Sequence, residues 1–345
     1  MLFLYELKKL LLTPAIAAFL IICAVVNTFI VVSSYVWQYE PANLAEQADV
    51  FDGFDAREIA ERYIGEYSLS GGSEANIREK YAKLQPVIDA KAARDDSMSE
   101  YFGVNTRTLH TLLFKQLFGA IAAESCVAAL FFALLGTGYE QTRNTESIVC
   151  ASRTGRRILL PKLLAALIAS AVFLAALTAV TLAVAFAKFG YASVLGDNVS
   201  SLYNTAVQGN TNNGIKPLIT LRSFTVGGLI AASLGLTLAL AWCFALFGFA
   251  VGAAIRGGYG ATLASIAVLA ASVVAAPLFA VGSEARYAFA SIPPGLILGA
   301  GTWFTDGGAM ITHLRFETTG TALSLAVLAA LSLAAAAYYK RRDLK

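Results

Sequence analysis

The chain has 345 residues, of which 57% are hydrophobic and 14% charged, with a mean hydropathy of +0.64. A water-soluble domain carries about 25% charged residues, so an ordinary soluble globule is excluded. The net charge of +3 conceals a partition: 14 of the 23 Asp and Glu lie between Trp37 and Leu113, beside 8 Lys and Arg, and the rest of the chain is basic. No stretch interleaves basic with aromatic residues, which argues against nucleic acid as a partner.

At the N-terminus, MLFLYELKKLLLT places Phe3, Leu4, Leu7, Leu10 and Leu11 at helical spacing, with Glu6, Lys8 and Lys9 on the other face. An apolar stripe opposite lysines suits a helix at the membrane surface, over residues 1–13; a frayed start to the first span is the alternative. The following chain is full of further spans, so this segment is expected to be retained rather than cleaved as a signal peptide. A charge-free run from Pro14 to about Val36 is long enough to cross a ~30 Å hydrocarbon layer as a helix. Five more follow, near 112–138, 158–189, 224–254, 261–282 and 321–339, predicting an all-α six-helix transmembrane bundle. The short loops put Lys8, Lys9, Arg143, Arg153, Arg156, Arg157, Lys162, Arg256 and the terminal KRRDLK on one side. Only Lys188, Lys216, Arg222, Arg286 and Arg315 lie on the other. The positive-inside rule then places both termini in the cytoplasm.

Between the first two spans, residues 37–111 read as an extracellular insertion with a helical hairpin. Asp55 and Glu58 have capping-box spacing, and Ile59, Tyr63, Ile64 and Tyr67 share a face. After the flexible SGGS at 70–73, Ile77, Tyr81, Leu84 and Ile88 form a second stripe, expected to be interrupted near Pro86. Its acidic surface serves solubility or a specific cation or peptide site. The loop after the third span is rich in Asn, Gly and Ser and should be irregular; Asn198-Val199-Ser200 has the N-glycosylation pattern. Residues 286–312 are too apolar for a solvent loop and too broken by Pro293, Pro294 and glycines for a span, so re-entrant half-helices are expected there. Gly248 and Gly252 have GxxxG spacing, for packing within one bundle or at a dimer seam.

Catalytic motifs are absent: no HExxH, no GxSxG and no GxxxxGK[ST] phosphate loop occurs, and His110 and His313 lie far apart. The four cysteines, Cys23, Cys126, Cys150 and Cys243, have no metal or disulfide spacing. No enzyme and no bound cofactor or metal is expected. One charge stands inside a span: Glu124, in FGAIAAESCVAALFF, costs about 3 kcal/mol at mid-bilayer unless paired, hydrated or protonated. It is a candidate pathway residue, or a carboxyl hydrogen-bonded within the bundle.

The loop Tyr139–Lys162, YEQTRNTESIVCASRTGRRILLPK, carries a short helical pattern before a basic turn. Its arginines either orient the loop or belong to a rigid elbow that passes a push from a docked partner into two spans. The joint order of ELKKLLLTP, a first span, an insertion, a second span, Glu140, Arg156, Lys162 and a last span ending YYKRRDLK resembles a type-2 ATP-binding-cassette (ABC) transporter permease over nearly the whole chain outside the insertion. The insertion of about 75 residues is a departure from the smallest members of that family. The resemblance implies an N-terminal connecting helix, a coupling helix over residues 141–151 and re-entrant helices between the last two spans. It also implies two copies of an ATPase subunit that bind ATP and Mg, and a second permease subunit, the same chain or a different one. Glu140, Gln141, Arg143, Glu146, Arg153, Arg156 and Arg157 are the candidate docking residues. An exporter of an antimicrobial peptide, drug or lipid across a bacterial cytoplasmic membrane is the expected function, with an envelope-stress sensor or mechanotransmission subunit as the alternative.

Overall fold

The computed structural model describes residues 2–34, 51, 53–94, 109–151, 155–200, 218–255 and 257–341. Its architecture is all-α: among the described residues there is no strand, only the isolated bridges Asn198–Thr225 and Thr220–Thr305. Six helices are long and apolar enough to cross a membrane, as a multi-pass membrane protein requires.

Helix α1 (Leu2–Leu11) is followed by α2 (Pro14–Ser33). Pro14 separates them, because proline disfavours helical geometry in the residue before it yet fits the first turn of a new helix. Thr13 accordingly sits in extended geometry, its hydroxyl donating to the Lys9 carbonyl at 2.8 Å. The other spans are α5 (Thr111–Thr142, its first turns Thr111–Leu117 in π geometry), α7 (Leu159–Phe189), α8 (Val226–Ala254), α9 (Gly258–Ala275) and α12 (Phe316–Arg341); between α2 and α5 lie α3 (Ala56–Glu66) and α4 (Gly72–Ala92). Short helices α6 (Glu146–Ala151), α10 (Glu284–Ala290) and α11 (Pro293–Leu298) complete the described set.

Helix α8 is the axis of the bundle, packed on α5, α7, α9 and α12. The close approach of α8 to α5 depends on Gly248 and Gly252: a Cβ at Gly252 would stand 2.1 Å from Thr137 Oγ1, and one at Gly248 2.8 Å from a Leu130 methyl. The GxxxG pattern is therefore used within the chain. Trp242 Nε1 donates to the Leu167 carbonyl at 3.1 Å and Ser332 Oγ to the Leu246 carbonyl at 2.9 Å, tying α8 to α7 and α12. At the other extreme, only 11% of the apolar windows of α9 and α12 is covered by protein, which leaves Ile266, Val268, Leu323 and Leu331 to an apolar solvent.

Lys9 on α1 and Tyr339 near the end of α12 both lie beside Glu140 at the end of α5, so the two ends of the described chain share one pole, here the proximal pole. At the distal pole, α3 and α4 form a hairpin whose core holds Ile59, Ile77, Tyr81, Leu84 and Ile88. Asp55 caps α3 by accepting from the Arg57 amide at 2.8 Å, and Gln85 of α4 adds a second cap, accepting from the Ala56 amide at 2.7 Å. Helix α4 runs unbroken through Pro86, contrary to the expected interruption, with buried Leu84 and Ile88 anchoring it on both sides of the ring. Lys188 closes α2 from outside, its ammonium donating to the carbonyls of Val31, Val32 and Ser34 at 2.7 to 2.9 Å. Those carbonyls are among the acceptors a helix C-terminus leaves over.

Helix α11 is sunk against the bundle, while α10 packs beside it with no fully buried residue of its own. Leu296 and Trp303 belong to the main core, and a Cβ at Gly295 would stand 2.3 Å from the Phe289 carbonyl oxygen.

Candidate functional site

The proximal pole holds the elbow between α5 and α7. Helix α5 ends at Thr142, the chain turns through Asn144 in the left-handed region (φ 55°), α6 follows, and the turn Gly155–Ile158 leads into α7. Glu140 does not face solution: its side chain is 12% exposed and ion-paired with Lys162, itself 2% exposed. The Lys162 ammonium also donates to the Gly136 carbonyl at 2.6 Å. On the other flank, Lys9 of α1 reaches Glu140 at 3.4 Å and Glu6 at 2.6 Å, and lies 4.0 Å over the ring of Tyr139. Two carboxylates and two ammonium groups thus join α1, α5 and α7. Burying either Lys162 or Glu140 alone would cost several kcal/mol, and each offsets the other's desolvation.

The remaining elbow residues divide by environment. Gln141 Oε1 accepts from the Gly257 amide at 2.9 Å, fastening the elbow to the glycine turn before α9. Arg143 is exposed, 5.7 Å from the Tyr139 ring. Glu146 starts α6, and Arg156 and Arg157 lie in the following 3-10 turn; their side chains, and Arg153 altogether, lie outside the described residues. Ile148 on α6 is 69% exposed, and Tyr259 in the first turn of neighbouring α9 80%. These apolar groups were not among the predicted site residues, although ESIVCA carries an apolar surplus for so short a polar-flanked helix. Thr137, Glu140, Val149, Ile158, Lys162 and Tyr339 line a small recess behind the elbow, so α12 abuts it as well.

Glu124 has a partner that the sequence did not single out. Asn27 of α2, fully buried, donates from Nδ2 to Glu124 Oε2 at 2.8 Å and to Thr181 Oγ1 of α7 at 3.2 Å. This polar knot crosses three spans and offsets much of the cost of a carboxyl in the bundle.

At the distal pole, two lysines of α4 point inward. Lys80, 2% exposed, donates to the carbonyls of Asp306, Gly308 and Ile311 at 3.1, 2.5 and 2.8 Å, and its neighbour Tyr81 hydrogen-bonds the Asp306 carboxylate. Lys91 donates to Ser200 Oγ and Thr220 Oγ1 at 2.9 and 3.0 Å. Burial first and the Asp306 charge second push the Tyr81 phenol well above its usual pKa, so it stays a donor. The hairpin is thereby locked to the chain between α7 and α8 and to the segment before α12. Both lysines are in phase with Ile77, Tyr81, Leu84 and Ile88, which was the available sign that they turn inward.

Among the described residues no group of three His, Cys, Asp or Glu could hold a metal ion. No protein-family model matches the chain, and no curated protein is significantly similar to it.

Proposed function

We propose that the chain is the permease subunit of an ABC exporter in a bacterial cytoplasmic membrane, moving an antimicrobial peptide, drug or lipid with energy from a separate ATPase. In this reading the proximal pole is cytoplasmic, α1 is the interfacial connecting helix, α3 and α4 are extracellular, and α10 and α11 are re-entrant half-helices. Two ATPase subunits, holding ATP and Mg, dock on α6, and a second permease subunit completes the translocator.

The observation that carries this reading is the buried Glu6–Lys9–Glu140–Lys162 cluster. A push on α6 meets no slack: the same carboxylate that ends α5 is bound to the start of α7 and to α1, so a docked motor would move three helices together. Exposed Ile148 on α6 gives such a motor an apolar anchor. The test is co-purification of the tagged chain with a phosphate-loop ATPase, followed by transport in vesicles. A charge-reversed variant, Glu146→Lys with Arg156→Glu, should keep ATP hydrolysis while losing transport. Unchanged transport in that variant would refute the coupling role of the elbow.

The buried clamps of Lys80 and Lys91 favour a second reading, an ABC-type envelope sensor or mechanotransmission subunit, because a ligand that moved the hairpin would pull on the spans. ATP-dependent substrate accumulation in sealed vesicles separates the two: the exporter accumulates and the signalling subunit does not.

A further inference from the structure

Three spans meet at one side-chain amide. Asn27 of α2 is fully buried, and its Nδ2 donates to Glu124 Oε2 of α5 at 2.8 Å and to Thr181 Oγ1 of α7 at 3.2 Å, while its Oδ1 has no partner. At about 1.5 Å per residue, the amide lies about 9 Å inside the end of α2 at Ser33 and about 12 Å inside the end of α7 at Phe189. Asn27 is sealed off, but Glu124 is only partly buried.

A carboxylate at that depth calls for a counter-charge. None is in reach among the described residues. Helices α2 and α8 carry no charged residue, and the two lysines of α7, Lys162 and Lys188, are engaged near its ends with Glu140 and with the end of α2. Lys115, on α5 itself, lies about 13 Å back along the axis. The titratable group beside Glu124 is the Cys23 thiol, one turn before Asn27, which brings no positive charge. A metal ion does not fit either, because the amide nitrogen, a donor, already stands between the carboxylate and the hydroxyl, within hydrogen-bond distance of both.

A proton is the charge that can settle there, and the amide can follow it. The two ends of an amide are nearly equal in shape and its last torsion is two-fold, so a half-turn leaves the packing as it was. Oδ1 then stands where Nδ2 stood, with lone pairs for an Oε2–H of Glu124 and for the Thr181 hydroxyl. The ionised state leaves the amide oxygen without a partner and the protonated state leaves the nitrogen, so the network locks the carboxyl into neither.

We infer that Glu124 is a reversible proton-binding site inside the bundle, with Asn27 turning from donor to acceptor as the proton arrives. Hydronium gives up its proton, one O–H bond forms at Oε2, and water leaves. Asn27 and Thr181 are positioning residues. The inference stands apart from the permease reading. The test is infrared difference spectroscopy of the full chain in lipid vesicles, titrated between pH 9 and pH 5 in choline chloride. A separate component of the protonated-carboxyl band should grow on acidification and vanish on return, with an Asn side-chain amide band changing at the same midpoint. Glu124→Gln should lose both changes, and Asn27→Leu should lose the amide change while keeping the carboxyl component. Thr181→Val, the mildest variant, should move the midpoint by at least half a pH unit and decides the matter if the other two do not fold. Identical difference spectra for the unaltered chain and Glu124→Gln would overturn the inference, as would an unmoved midpoint in Thr181→Val. A midpoint that moves when sodium replaces choline would identify an alkali-cation site and overturn it as well.

Discussion

Lys162 shows what a single residue decides here. Its ammonium is the only described partner that reaches both Glu140 and the Gly136 carbonyl, so Lys162→Met leaves a carboxylate in a 12% exposed site with Lys9 alone. We expect this variant to lose about 3–5 kcal/mol of stability, with most of the loss recovered when Glu140→Gln is added, because a broken buried pair costs more than a deleted one. Chemical unfolding of the two variants in detergent measures the difference. His110, just before α5, gives a pH test. It is fully buried against Tyr191, and burial pushes its imidazole from 6.5 down to about 3. The unfolded chain takes up a proton below pH 6.5 that the folded chain refuses. Its contribution is therefore complete above pH 6.5 and declines toward pH 3, by about 1.4 kcal/mol per unit. His110→Phe should flatten the fall in unfolding midpoint between pH 6 and 4 relative to the unaltered chain.

Among the elements, the α5–α8 seam has the least tolerance. Gly252→Ala should cost about 1–3 kcal/mol by overpacking against Thr137, and Thr137→Ala in the same molecule should restore part of it, as an unfolding double-mutant cycle would show. The spans and the hairpin were legible in the sequence because each rests on periodicity or on uninterrupted apolar length. What escaped it came from pairings between distant segments: Asn27 with Glu124, Gln85 with Ala56, Lys188 with the end of α2. Nothing local in those residues announces a partner more than 25 positions away. Pro86 misled for the opposite reason, since a strong local signal for a break lost to tertiary packing on both sides of it. At the elbow, Glu140 and Gln141 are docking candidates through the family resemblance, which carries no information on contacts within this chain. In the structure they bind Lys162 and Gly257 within the chain.

Across the whole molecule, the distal hairpin and the bundle form one mechanical unit, because a lysine ammonium inside the interface bridges three backbone carbonyls between Asp306 and Ile311. Lys80→Met removes those donors and strands the acceptors. Limited proteolysis with mass spectrometric mapping should then show faster cleavage within residues 283–315, while the spans stay protected. The proximal pole differs in kind. Its four enclosed charges, Glu6, Lys9, Glu140 and Lys162, sum to zero. Such a self-cancelling quartet projects almost no far field, so any long-range attraction of an acidic protein toward this pole rests on the exposed charges around it, Lys8, Arg143, Lys340 and Arg341. Concentrated electrolyte should consequently screen any such attraction well before it loosens the N-terminal helix, whose Lys9 is enclosed with its partners.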